Sequence, residues 1–176
     1  MKQRVIGVFL AAAMALPVAL MATPADAAGG LTCTKLTGTV TWNPPVPAAP
    51  ATAASAITLK ASLSGCTGTP GITSGVINLP VIKKVPKRNC TTLATNPPKL
   101  TQTGGSITWK NNSKSTLGTL TLTPAGVATY KATAKVTKGQ FLNKTLTVTG
   151  TFVPTSACPY KKATVAIKKG TKATVK

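Results

Sequence analysis

Four cysteines and a surplus of lysine are the residues of this 176-residue chain whose types and spacing suggest chemistry. Cys33, Cys66, Cys90 and Cys158 include no Cys-x-x-Cys pair, and the chain has no histidine. Metal binding would lack its usual imidazole, carboxylate and paired-thiolate ligands, so neither a metal nor another cofactor is expected. In an exported chain four such cysteines favour two disulfides, for which three connectivities exist. Catalysis fails on the same inventory. General acid–base work needs a group that titrates near the operating pH, and the only acidic side chain is Asp26. Tyr130, Tyr160, the serines and the lysines remain, and no motif joins them. Ser–Lys coincidences are inevitable at this lysine density, and the chain is read as a non-enzyme.

Asp26 itself belongs to a targeting segment. Lys2 and Arg4 precede an apolar run from Val5 to Leu20, and Ala25-Asp26-Ala27 has the small-x-small form of a signal cleavage site. The run is short and alanine-rich for a permanent membrane helix, and no later segment is apolar enough to span a bilayer. Residues 1–27 are expected to be a cleaved signal peptide, and residues 28–176 a single secreted β domain of ordinary size. Gly30-Leu31-Thr32 before Cys33 lacks the aliphatic residue that usually stands three positions ahead of a lipidated cysteine, which argues against a lipoprotein.

Cleavage would leave a polycation. Of the 21 Lys and Arg residues, Lys2 and Arg4 depart with the signal; 19 remain, with Arg88 the sole arginine and no Asp or Glu to pair them. Such a chain attracts polyanions in a salt-dependent way. The cations cluster twice, at Lys83, Lys84, Lys87 and Arg88, and again at Lys161, Lys162, Lys168, Lys169 and Lys172. Each cluster taken alone is explained as readily by solubility and by lysine's role in guarding strand edges. The complete lack of acids favours real attraction. Nucleic acid is a poor partner for an exported chain with one arginine and no interleaved aromatics. Anionic envelope polymers or lipid headgroups fit a secreted or envelope-associated protein better. The alternative is a specific protein- or glycan-recognition module whose lysines only serve solubility.

The elements that would position these residues are strands. From Gly139 to Val153, Leu142, Leu146, Val148 and Phe152 alternate with Asn143, Thr145, Thr147, Thr149 and Thr151, the period of a half-buried strand. Thr119, Thr121, Thr129 and Thr133 extend this outer threonine array, which suits any exposed strand face. Ala128, Tyr130, Ala132, Ala134 and Val136 form the inner face of a preceding strand. A turn near Lys138-Gly139 would pair the two with position sums of 278, setting Tyr130 against Val148. Leu31 to Trp42 and Ile57 to Ser64 pair with sums of 99, which places Trp42 against Ile57 and Cys33 against Cys66 on the face away from the core. That register selects Cys33–Cys66 and leaves Cys90–Cys158. Asn43 to Ala54 and Pro86 to Lys99 read as loops, and Gly71 to Val85 as an edge strand or one broken at Pro80. Ser106 to Lys110 and Thr116 to Thr123 are short strands, with Trp42 and Trp109 both inward, and Pro124-Ala125-Gly126 is a turn. The tail supplies one or two more.

Cys33-x-x-Leu36-x-Gly38-x-Val40, Leu63-Ser64-Gly65-Cys66-Thr67-Gly68, Gly75, Lys138-Gly139-Gln140-Phe141 and the late Cys158 together resemble small secreted β-sandwich proteins of actinobacteria, a group without a characterised function. The resemblance spans most of residues 28–176 and implies an exported, disulfide-bonded sandwich; it carries over no catalytic residue. With eight or so short strands and no convincing helix after the signal, the expected fold is an all-β antiparallel sandwich, immunoglobulin-like or Greek-key, with a small β-barrel as the alternative.

Overall fold

A computed structural model of the protein describes residues 29–49, 55–85, 87–95 and 98–176. The expected signal and its cleavage site lie outside the described residues. The elements are β1 (Leu31–Val46), β2 (Ser55–Thr67), β3 (Ser74–Asn78), β4 (Ile82–Val85), α1 (Cys90–Thr95), β5 (Leu100–Gln102), β6 (Ser106–Trp109), β7 (Lys114–Leu117), β8 (Leu120–Gly126), β9 (Thr129–Gly139), β10 (Thr145–Pro154), β11 (Tyr160–Ile167) and β12 (Ala173–Val175).

Several of these are halves of one interrupted stave. β2 pairs with β3 and then β4, β9 pairs with β7 and then β8, and β1 pairs with β11 and then β12. β5 and β6 likewise pair with β8 and β7. The staves are thus β1, β2, β3/β4, β5/β6, β7/β8, β9, β10 and β11/β12. Each is antiparallel to the next in sequence, and β11/β12 returns to β1. The antiparallel all-β architecture is as expected, in its barrel form: the ladders between β9 and β10 and between β1 and β11 leave no break at which one sheet ends and another begins. Closure removes the exposed edges of an open sheet.

Local sequence explains the interruptions. Pro80 splits β3 from β4, because proline has no N–H for the ladder. Yet β3 is internal, paired to both β2 and β6, rather than an edge. β1 runs through Pro44 and Pro45 to Val46, which pairs with Tyr160, so the expected loop begins later than Asn43. β5 and α1 have no counterpart among the expected elements. α1 starts at a polar cap in which the Asn89 Oδ1 accepts the Thr92 N–H at 2.8 Å and Thr92 Oγ1 accepts the Asn89 N–H at 3.1 Å. The turn after β8 is made by Val127 and Ala128, not by Pro124 to Gly126, and Thr129 is buried there rather than outward.

The β1–β2 register is the expected one, with Trp42 opposite Ile57 and Cys33 opposite Cys66. The cysteines nevertheless face the core, 1% and 5% exposed. The ladder steps from Cys33–Cys66 to Lys35–Ser64, and Gly65 sits at φ +61° beside Thr34. Both strands change phase together, which brings Leu31 and Cys33 to the side of Leu36 and Val40. β9 and β10 slip by two residues from the expected pairing: Tyr130 meets Gly150 and Ala134 meets Leu146. The connection is wider than a tight turn near Lys138-Gly139. Phe141 and Asn143 adopt left-handed φ values, so Phe141 is buried and Leu142 is exposed. A two-residue slip preserves face, so the rest of the inner set survives.

Candidate functional site

The two ends of the barrel differ. One end is packed by Cys33–Cys66, Ile72, Trp109 and Phe141, all buried. At the other, the mouth, β4 and β5 form no ladder with one another among the described residues, and the connection bearing α1 lies there. Cys90 is bonded to Cys158 on the β10–β11 connection, and the Cys90 N–H donates to the Pro47 carbonyl at 2.9 Å. α1 is therefore tethered to two other mouth segments.

Between the packed end and the mouth lies an apolar cavity of about 180 Å³, lined by every stave and by Leu93 and Pro98 of the α1 connection. Its wall includes Trp42, Leu59, Leu79, Leu122, Ala132, Val148 and Phe152. Few polar groups reach it. Trp42 Nε1 is buried without a hydrogen-bond partner among the described residues. Tyr130 lines the cavity and stacks edge-on with Phe152, centroids 4.9 Å apart. Burial pushes the Tyr130 phenol well above its usual range, and the nearby positive charge of Arg88 pulls it partly back. Arg88 is half-buried, and its Nε is fully buried and unpartnered among the described residues.

The exterior has the opposite character. Lys131, Lys135, Thr133, Thr147 and Thr174 alternate with inward Ala134, Leu146, Val148, Ala173 and Val175. A barrel that spans a membrane presents an apolar band outward and a polar lumen, the inverse of this arrangement. Among the described residues, no helix is long and apolar enough to cross a membrane. Every lysine with a described side chain is exposed except half-buried Lys144.

The structure redistributes the lysine clusters. β4, which carries Lys83 and Lys84, and Lys161 and Lys162 of β11 lie toward the mouth, separated by β1 and β2. Lys87 is exposed on the α1 connection, whereas Arg88 turns partly inward. Lys168, Lys169 and Lys172 occupy the excursion between β11 and β12, away from Lys161 and Lys162. The Lys168 N–H donates to the Thr149 carbonyl at 2.9 Å, and Thr149 is paired with Lys131. Lys135 pairs with Thr145, whose backbone exchanges hydrogen bonds with Lys176. Lys131, Lys135 and Lys176 thus join this face, outside the sequence clusters; for Lys131 and Lys135 the outward alternation in β9 is the available signal.

Between the Lys131 and Lys135 levels runs a row of threonines. Thr101, Thr121, Thr133, Thr147, Thr174, Thr32 and Thr67 are successive ladder partners across adjacent staves. Of the expected array, Thr121, Thr133 and Thr147 fall in this row, Thr149 and Thr145 flank it, and Thr129 is withdrawn by burial. The chain matches no protein-family model, no curated protein and no solved structure.

Proposed function

We propose that this protein is a non-enzymatic, exported cationic barrel that attaches electrostatically to anionic polymers of the cell envelope or its surroundings. The observation that carries the reading is the outward set of lysines, which has no Asp or Glu to neutralise it after residue 26. On β9 to β12 these cations stand on both sides of the threonine row. A glycopolymer bearing phosphate or carboxylate groups would find positive charge and hydroxyl donors together, through many individually weak, screened contacts. A lipid headgroup surface would use the charge alone. The two disulfides belong to an oxidising compartment, which agrees with export.

Co-sedimentation of the oxidised, processed protein with purified anionic cell-wall polymer across a salt series tests this. Tight binding at low salt that is lost near physiological ionic strength or slightly above is expected. No binding at low salt ends the proposal and makes the lysines a solubility device. Binding that persists at high salt indicates instead a specific, packed recognition interface.

A further inference from the structure

We infer that the barrel lumen is a binding site for a small amphiphilic anion, an aliphatic or aromatic carboxylate with its apolar part in the cavity and its head at the mouth. An eight-stave barrel is wide enough either to be filled by its own side chains or to hold one small ligand. Here side chains fill the packed end, where Trp109 and Phe141 meet, but leave about 180 Å³ empty toward the mouth. A dry apolar cavity of about 150 Å³ accommodates a benzene-sized molecule, so this one fits a tail of about six to eight carbons.

The head group is argued from what the site leaves unpaired. Trp42 is 5% exposed and lines the cavity, yet its indole N–H has no acceptor among the described residues. Buried indole N–H groups ordinarily find one. Arg88, close enough for its charge to act on Tyr130, has a buried Nε that is unpartnered among the described residues. Arg88 is half-buried, and the chain has no carboxylate side chain beyond residue 26 to pair with its charge. A ligand carboxylate accepting from the Trp42 indole N–H, and attracted by the positive charge of Arg88, would leave its tail among Leu59, Leu122 and Val148. Access is through the mouth, where β4 and β5 are unpaired. This site is independent of the outer lysine face.

The test is a calorimetric and tryptophan-fluorescence titration of the oxidised protein with octanoate, 1-octanol and octylammonium. Expected is one octanoate per protein, with octylammonium at least tenfold weaker. Arg88→Gln should weaken octanoate at least tenfold and leave 1-octanol unchanged, and Ala132→Leu, which fills the lumen, should weaken both. Equal binding of octanoate and octylammonium by the unaltered protein overturns the assignment, whether or not the variants fold. So does octanoate uptake well above one per protein that Ala132→Leu does not change, since that is association with surface lysines. Failure to bind either octanoate or 1-octanol overturns it as well.

Discussion

The indole N–H of Trp109 donates a 2.8 Å hydrogen bond to the hydroxyl of Ser115, six residues on and wholly buried. Ser115 in turn donates to the Gln140 carbonyl, which ties β6 and β7 to the turn before β10. Phe141 then meets the Trp109 ring edge-on at 5.3 Å. Trp109 therefore has the partner that Trp42, at the other end of the barrel, lacks. Ser115→Ala would leave a buried donor unsatisfied and should destabilise the protein by about 1–3 kcal/mol. The shift of the urea midpoint at unchanged m-value measures it.

Gly75 faces the same indole. A Cβ built at Gly75 would lie 2.5 Å from Trp109 Cε3 and 2.8 Å from Cζ3. The ring is fully buried and cannot withdraw, so Gly75→Ala should cost about 1–3 kcal/mol through overpacking. Because Gly75 and Ser115 both act on Trp109, the double variant should depart from the sum of the single ones; additivity in denaturant unfolding would contradict this account.

The disulfides close loops of different length. Cys90 and Cys158 are 68 residues apart, and Cys33 and Cys66 are 33 apart. The chain-entropy relation gives about 4 kcal/mol for the longer loop and slightly less for the shorter. Replacing each pair with serine and comparing calorimetric midpoints should show losses of this order for both. Removing Cys90–Cys158 should in addition speed hydrogen exchange in α1, because that bond holds the α1 connection to the β10–β11 connection.

Tyr130 makes stability depend on alkaline pH. Its phenol is held protonated in the folded state, mainly by burial, to a pH above that at which an unfolded tyrosine ionises. Below about pH 10 both states keep the proton and the contribution is complete. Above it the unfolded chain releases a proton that the folded chain retains, so stability falls as pH rises. Tyr130→Phe should remove that part of the decline in chemical denaturation between about pH 10 and pH 11. In the folded protein the same substitution should leave the 295 nm titration below about pH 11 unchanged.

The outer face gives a charge prediction. Lys131→Gln with Lys135→Gln removes the cations on both sides of Thr133 without touching an inward residue. Polymer binding at low salt should weaken, and its dependence on salt should become shallower, with thermal stability unchanged or slightly raised by relief of repulsion. An unaltered salt profile would move the attachment surface elsewhere on the barrel.

Much of the wall was legible in local sequence. Alternation identified the inner faces of β1, β2 and β9, and the β1–β2 register picked out the partner of Cys33. The misses have separate local causes. Phe141 replaced Leu142 in the core because left-handed residues in the turn broke the alternation, a feature that hydropathy does not encode. α1 is one short helix signalled only by Asn89 and Thr92, in a stretch whose other residues read as a loop.

The amino-acid order by itself determined a β-rich chain with an apolar inner face, a lysine–threonine outer face, four cysteines and no acid–base inventory beyond residue 26. These are properties of residue type and of the two-residue period of a strand. Only the tertiary structure decided that β11 meets β1, so that the sheet closes on itself. It alone placed Arg88 near Tyr130 and left Trp42, among the described residues, without an acceptor beside the lumen. Closure depends on twist and register accumulated around all the staves, and a cavity on the summed volume of side chains from every one of them. Neither quantity belongs to any single stretch of the chain.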